Sequence, residues 1–312
     1  MYKDYVCNSQ SGRIMAIDGS KVHLPRSSVA DGYRPMQLRG ERPVGTISCL
    51  MDVSHQIPVE VRWSESVNER ALSLHHLSLL RGNDIVLFDR GYYSYDMFHQ
   101  FSSRCNVLFR VRSNADAEVK AFVRRTAGVA EAQQPLIACR GGRVVKYTIT
   151  SDETGERIPY FFITNTRSSL YSPALLSNLY RSRWQVEVGF KHLKSDLFLE
   201  SWKTKSLFKQ ELDVRMLTWM ASRISQERSP VQVSLKSMIQ VHCVLLGSVD
   251  SWRNTSMNDM CEYLMNKMRR EGGRRRLTNS EKREEILAVN RFLSFLSEEW
   301  IQTMMSRSLN VP

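Results

Sequence analysis

The sequence predicts an α/β fold in which a mixed β-sheet is flanked by helices. Two short apolar runs, residues 13–18 and 85–91, read as strands covered on both faces, and each carries an aspartate and a nearby glycine at its end. Around them, strand and helix patterns follow in the order βββαβαβ. Of the 312 residues, 42% are apolar, which is enough to bury the core that such a sheet requires.

The elements follow one another closely, because turn signals separate them. The Arg81-Gly82-Asn83 turn, for example, separates an amphipathic helix from the second buried strand. The predicted elements are, in order, strands at 13–18, 45–53 and 59–63, a helix at 69–80, a strand at 85–91, a helix at 95–102 and a strand at 106–111.

Beyond this first part, the pattern changes twice. Short β-like pieces at 144–150 and 160–164 surround glycine turns, and a helix begins after Ser172-Pro173. Nearly everything after residue 206 has a helical pattern, in the segments 207–226, 234–246, 257–270 and 280–297. We therefore expect a first part of the α/β core at 1–112, a β-rich insertion at 113–170, a final part of the core at 171–225 and a helical C-terminal region at 226–312.

Charge and composition restrict the classes of function. Lysine and arginine outnumber aspartate and glutamate by 44 to 32, so the formal charge of +12 favours a polyanionic partner, with nucleic acid as the first candidate. The six cysteines show no CxxC pair or zinc-ligand spacing. No apolar run reaches the roughly 18 residues that a membrane span needs, and we expect a cytoplasmic protein without a membrane partner.

A helix near residue 187 gathers polar residues onto one face. At about 100° per residue, Tyr180, Arg183, Glu187, Lys191 and Lys194 fall within roughly an 80° arc of a single helix. An apolar stripe beside them, Leu179, Val186, Phe190 and Leu193, would dock this helix on a core. The arc suits a site in which one acid holds a metal and cations face phosphate oxygens. An exposed helix with an ordinary Arg183–Glu187 ion pair is the alternative.

Three acids stand out by their positions. Asp18 and Asp89 each follow a buried strand, and Glu187 lies on the later helix. Neighbouring strands would bring the two aspartates together, and a helix packed over that edge could add the third carboxylate. Converging carboxylates repel one another unless a cation lies between them, and Mg²⁺ suits such oxygen ligands. Two such ions support in-line phosphoryl transfer.

These motifs resemble the DDE transposases of the insertion-sequence-4 family. Tyr180, Arg183, Glu187 and Lys194 fit the signature Y-x2-R-x3-E-x6-K without a gap. The aspartates match in A-I-D-G-S (Asp18) and F-D-R-G-Y (Asp89), and the resemblance covers roughly residues 10–225. It implies a ribonuclease H-like core interrupted by a β-rich insertion before the final acidic helix.

The resemblance also implies a function. Asp18, Asp89 and Glu187 would be the metal-binding catalytic acids, with two Mg²⁺ ions as cofactor and Mn²⁺ as a substitute. The reaction would be cleavage of double-stranded DNA at transposon ends followed by strand transfer into target DNA, within a synaptic homodimer. The resemblance also implies a bacterial, nucleoid-associated protein. Tyr180 and the cations Arg183 and Lys194 would hold DNA phosphates and sugar.

Two further cations are inferred from their positions rather than from the signature. Lys191 shares the face of Glu187, and we expect it to contact DNA. Arg90 follows the second aspartate, where it either contacts DNA or forms a local ion pair. Trp184 is expected to anchor the helix boundary.

Alternatives to transposition remain open at the level of sequence. Asp18 lies near the start, without the amino-terminal helical region of many relatives, so a truncated, non-transposing DNA-binding remnant is the first alternative. A structure-selective nuclease with the same fold is the second.

Overall fold

The computed structural model describes residues 12–24, 43–64, 68–151 and 154–196, together with nine helical residues between 212 and 226. The chain divides into two compact units, 1–216 and 217–312. The described residues of the second unit, which fall between 218 and 226, are helical. The helices predicted at 234–246, 257–270 and 280–297 lie outside the described residues.

Eight strands of the first unit form one sheet in the order β3-β2-β1-β4-β5-β8-β7-β6. The strands are β1 (Ile14–His23), β2 (Val44–Asp52), β3 (Ile57–Ser64), β4 (Ile85–Phe88), β5 (Asn106–Val111), β6 (Glu131–Pro135), β7 (Arg143–Thr150) and β8 (Arg157–Thr164). The helices are α1 (Glu69–Ser73), which continues as a 3₁₀ turn (Leu74–Leu79), α2 (Tyr95–Ser102), α3 (Ala117–Arg125), α4 (Pro173–Arg181) and α5 (Trp184–Lys191), with a π turn (His192–Asp196) after α5.

The centre of the sheet is parallel and both sides are antiparallel. β1, β4 and β5 run in the same direction, with Ile17 beside Phe88 and Phe88 beside Phe109. β2 and β3 pair antiparallel on one side, and β8, β7 and β6 continue the sheet antiparallel on the other. Together with the flanking helices, this arrangement confirms the predicted mixed-sheet fold.

Aromatic side chains fill the core beneath the parallel strands. The ring of Phe88 stacks on Phe109 at 4.4 Å between centroids and meets the edge of Phe101 on α2 at 4.8 Å. Ile17 and Phe98 are fully buried in the same cluster. Helix α2 is capped at its N-terminus by Ser94, whose hydroxyl accepts a hydrogen bond from Met97 N. The core thus fixes β1 and β4 as neighbours.

A buried ion pair fixes the start of the same two strands. Arg13 precedes β1 and Asp84 precedes β4, and their side chains form two hydrogen bonds through the Arg13 Nε and Nη2 atoms. Asp84 also accepts hydrogen bonds from the backbone N–H groups of Arg13 and Arg81. This pair holds the register of β1 against β4.

The segment predicted as a β-rich insertion, 113–170, contains β6, β7 and β8 and also helix α3, which the sequence analysis did not predict. Asp116 caps α3 by accepting a hydrogen bond from Val119 N at 2.8 Å. The three strands join the main sheet where Phe162 pairs with Arg110 of β5. The β structure of this segment therefore extends the sheet of the core.

Two predicted helices differ from those in the structure. The helix predicted at 69–80 is α only as far as Ser73 and then tightens into the 3₁₀ turn. The single helix that the arc of residues 180–194 required is divided into α4 and α5. At the junction, Arg183 N donates to Tyr180 O and Val186 N donates to Arg183 O, which are 3₁₀-type hydrogen bonds. Among the described helices, none is long and apolar enough to cross a bilayer.

Candidate active site

Asp18 and Asp89 occupy adjacent positions on neighbouring strands. The parallel pairing of β1 with β4 ends at Ile17 and Phe88, and the two aspartates are the next residues on each strand. The sequence predicted that Asp18 ends its strand, but β1 continues to His23 by pairing with β2 alone. What ends at Asp18 is the parallel ladder, and the sheet therefore brings both carboxylates to the same place.

Helix α5 brings the third acid to this place. The helix packs on β1. Val186 and Phe190 of α5 and Leu193 of the π turn are buried, as the apolar stripe predicted, whereas Leu179 of that stripe lies on α4 and is half-buried. Glu187 is half-buried at the rim of that stripe. The docking of α5 therefore decides where the Glu187 carboxylate lies.

Arg183 connects two of the three acids. Its Nη1 donates to Asp18 Oδ2 at 3.1 Å, and its Nη2 donates to Glu187 Oε1. The side chain is 10% exposed, and its Nε has no hydrogen-bond partner among the described residues. The Arg183–Glu187 ion pair expected for an ordinary exposed helix is thus present. It differs from that expectation because Arg183 also binds Asp18, at the end of the parallel ladder of β1 and β4.

Tyr180 holds the remaining acid. Its hydroxyl donates to Asp89 Oδ1 at 3.2 Å. Because the chain is tightened at the junction of α4 and α5, Tyr180 and Arg183 lie one above the other, with the guanidinium carbon 5.8 Å from the ring centroid. Burial raises the pKa of Tyr180 to about 12. The phenol therefore stays protonated as a hydrogen-bond donor at neutral pH.

The electrostatics of Asp18 show that the three acids share one environment. Burial raises the pKa of Asp18 to about 6, against the lowering effect of Arg183 and the Gly19 N–H, and the charges of Asp89 and Glu187 raise it further. Asp18 is thus within reach of the charges of both other acids, and the Arg183 guanidinium lies between Asp18 and Glu187. The site retains an excess of negative charge.

This donor set fits a divalent cation of the Mg²⁺ type. Carboxylate oxygens are the ligands that Mg²⁺ prefers, and a cation would relieve the repulsion that contributes to the raised pKa of Asp18. In the described part of the chain, however, no three acidic, histidine or cysteine side chains are grouped closely enough to hold an ion. Arg183 and Tyr180 already donate hydrogen bonds to one oxygen of each carboxylate, so an ion would compete with Arg183 for Asp18 and Glu187.

The other predicted cations surround this centre unevenly. Lys194 donates from its Nζ to Lys21 O of β1 at 2.7 Å, which ties the π turn to the strand that carries Asp18. Lys191 is exposed. Arg90 is exposed and, with Arg112, lines a cleft of about 490 Å³; it forms no ion pair with any described residue. The local ion pair considered for Arg90 is therefore absent from the described part of the chain.

Trp184 does not anchor the helix boundary. It begins α5 with its side chain 62% exposed, because it lies on the side of the helix opposite the buried Val186 and Phe190. The expectation of an anchor is wrong.

Sequence reasoning missed Arg110. Arg110 is the next residue after Phe109, so it lies beside Asp89, and its guanidinium carbon is 4.4 Å from the ring centroid of Tyr160 on β8. The same carbon is 5.8 Å from the ring centroid of Tyr180. An arginine inside the apolar strand pattern N-V-L-F-R-V was the signal that could have identified it.

Comparison with known proteins identifies a family and a similar fold. The family model described as transposase DDE domain matches residues 9–222, well over half of the chain. A cryo-EM structure of the piggyBac transposase synaptic complex with hairpin DNA shares the fold, with a TM-score of 0.50 at 10% sequence identity. The match covers 82% of this chain and 57% of the piggyBac chain. No curated protein sequence matches the chain. The match to the family model shows that the chain belongs to the transposase DDE domain family.

Proposed function

We propose that this protein is a DNA transposase of the insertion-sequence-4 group that cleaves DNA at transposon ends and joins the freed ends to target DNA. The observation that carries the proposal is the arrangement of three acids. Asp18 and Asp89 lie side by side where the parallel ladder of β1 and β4 ends, and Arg183 links Asp18 to Glu187. The four-residue signature from Tyr180 to Lys194 supports the assignment to this group.

The proposed reaction consists of two phosphoryl transfers. In the first, a water oxygen attacks the phosphorus at the transposon end, and the 3′ oxygen of the transposon strand leaves as a hydroxyl. In the second, that 3′ hydroxyl attacks a phosphodiester of the target and displaces the target's 3′ oxygen. When bound, Mg²⁺ would supply Lewis-acid stabilisation of the charge on phosphate oxygens and lower the pKa of the attacking group.

The chain's own residues would hold the reactants. Asp18, Asp89 and Glu187 are the proposed ligands of two divalent ions. Arg183 presents a planar guanidinium that can exchange its carboxylate partners for a DNA phosphate of similar geometry. Tyr180 would remain a neutral donor, because burial raises its pKa.

Further cations would bind the phosphate backbone around this centre. We assign this role to Lys191, Lys194 and Arg90, and we add Arg110, which lies between two tyrosine rings and has no ion-pair partner in the described residues. Such contacts position the duplex rather than read its sequence. Since each element has two ends, we further propose that two copies of the protein act together in a synaptic dimer.

The test is cleavage of cognate end DNA by the purified protein. We expect nicked and joined products that depend on Mg²⁺ or Mn²⁺, and we expect Glu187→Gln to abolish both products while DNA binding persists. Glu131→Gln, at an exposed acid on β6 at the far edge of the sheet, is the control and should cleave normally. Cleavage by Glu187→Gln at the normal rate would refute the role of this acid. DNA binding by the wild type without any metal-dependent product would favour a non-transposing DNA-binding protein.

A further inference from the structure

A fourth acid, Glu69, lies next to the site on the opposite face of the sheet. Glu69 begins α1, and this helix packs on β1 and β2. Asp18 and Gly19 are consecutive on β1, so their side-chain positions lie on opposite faces. Helix α5 covers the face of Asp18, whereas Glu69 lies over Gly19. Glu187 therefore approaches the position of Asp18 from one face of the sheet, and Glu69 approaches it from the other.

Gly19 is what allows Glu69 to lie so close. A Cβ atom added to Gly19 would be 2.7 Å from the carboxyl carbon of Glu69 and 3.0 Å from its Oε2. Any other residue at position 19 would displace this carboxylate. The glycine directly after Asp18 thus makes room for a second carboxylate beside it.

The Glu69 carboxylate is not used by the fold in the described part of the chain. It forms no hydrogen bond or ion pair with another described residue, although it is half-buried. Its helix is nevertheless held in place, because the Arg70 Nε donates to Gly91 O at 2.6 Å in the loop that follows Asp89. Asn68 caps the helix by accepting a hydrogen bond from Ala71 N. Glu69 is therefore positioned without being neutralised.

Tyr92 provides an independent indication of a ligand here. Its side chain is 3% exposed, and its hydroxyl has no hydrogen-bond partner among the described residues. The Tyr92 N–H donates to Asp89 O at 3.1 Å, which places the residue directly beside the second acid. Burial raises the pKa of this phenol, and the charges of Asp18, Glu69 and Asp89 raise it further. Tyr92 and Glu69 also line one cleft of about 590 Å³. A buried hydroxyl without a partner is costly unless a group such as a bound water completes its hydrogen bonding.

We propose that Glu69 is a fourth carboxylate of the divalent-cation centre and binds the hydrated ion from the face opposite Glu187, with the Tyr92 hydroxyl bonded to a water of that ion. This inference rests on the proposed metal-dependent function. Mg²⁺ keeps several of its waters in proteins, and outer carboxylates that bind such waters contribute to metal affinity. The role differs from that of an ordinary first-turn acid, which would stabilise α1 with or without metal.

The experiment measures metal binding by the full chain without DNA. Mn²⁺ affinity is determined by calorimetric titration, and the rise of Tm with added Mg²⁺ is recorded for the same proteins. We expect Glu69→Gln to weaken Mn²⁺ binding about 10-fold and to reduce the Mg²⁺-induced rise of Tm. Tyr92→Phe should weaken binding in the same direction, yet leave the metal-free Tm unchanged or higher, because it removes a buried hydroxyl that has no partner. Glu131→Gln should match the wild type.

The outcomes separate this inference from the proposed function. Wild-type affinity in both Glu69→Gln and Tyr92→Phe, with Asp18→Asn impaired, would overturn the role of Glu69 and leave the proposed function intact. A lower metal-free Tm in Glu69→Gln with normal Mn²⁺ affinity would show a structural role only and would also overturn it. Weakened binding in both variants, in a protein that fails to cleave end DNA, would support the fourth carboxylate and reject transposition. A wild type that binds no Mn²⁺ would overturn both.

Discussion

We expect Asp84→Ala to destabilise the sheet at the end of β1 and β4 away from the acidic site. The Asp84 side chain is fully buried and accepts four hydrogen bonds, from the Arg13 N, Nε and Nη2 atoms and from Arg81 N. Alanine would remove all four and leave the guanidinium of Arg13, itself almost fully buried, without its carboxylate.

The magnitude follows from this loss. Removing one partner of a buried ion pair costs about 3–5 kcal/mol, because the other charge stays buried and uncompensated. For a unit of this size, 1 kcal/mol shifts Tm by about 2–4 °C, so we expect a fall of about 6–20 °C. Asp84→Asn should also lower Tm, since asparagine keeps the shape of the side chain but removes its charge.

The assay is urea unfolding with parallel thermal melts, and Asp96→Ala is the matched control. Asp96 is an exposed acid in the first turn of α2, where it accepts a hydrogen bond from Gln100, and its loss should cost no more than about 1 kcal/mol. If Asp84→Ala lost less than about 1 kcal/mol, the argument that this pair fixes the register of β1 against β4 would be refuted.

Three further outcomes can be measured. Burial raises the pKa of Asp18 from 3.8 to about 6. The folded state therefore binds the proton more tightly than the unfolded state, and the wild type loses stability as pH rises from about 4 to 6. Without metal, the unfolding free energy of Asp18→Asn should exceed that of the wild type by about 3 kcal/mol at pH 7.5 but by little at pH 4. A difference in unfolding free energy that stays constant with pH would contradict this. Gly45→Ala should cost about 1–3 kcal/mol, because its Cβ would lie 1.5 Å from the Trp63 ring; thermal melts check this against Gly82→Ala, where the nearest atom is 4.0 Å away. Arg110→Ala should weaken DNA binding and lower the slope of its salt dependence by about 1, as measured by fluorescence anisotropy, whereas an unchanged slope would remove Arg110 from the DNA surface.

Much of the fold could be predicted because its strands are buried. The runs around Ile17 and Phe88 are apolar on both faces, and only the centre of a sheet provides such an environment. By contrast, β6 has the polar sequence E-A-Q-Q-P and lies at the edge of the sheet, so no periodicity marks it. Helix α3 was missed because its short amphipathic pattern lies between turn residues.

The acids of the site could be placed from the sequence, but their contacts could not. Strand-end aspartates predict where a parallel ladder ends, and the spacing from Tyr180 to Lys194 predicts a shared helix face. The tightened junction at Arg183 depends on how α4 and α5 dock, which periodicity does not encode. Glu69 lies against Gly19 through tertiary packing, so it carries no local pattern. Arg110 is marked only as an arginine within an apolar strand.

The most direct test of the central claim replaces the divalent cation with Fe²⁺ and maps the resulting hydroxyl-radical cuts in the polypeptide. If Asp18, Asp89 and Glu187 hold one centre, cuts should cluster near all three positions, although these are far apart in sequence. Excess Mg²⁺ should suppress the cuts, and Glu187→Gln should weaken them at all three positions together. Cuts confined to one position, or cuts elsewhere that Mg²⁺ does not suppress, would contradict the account.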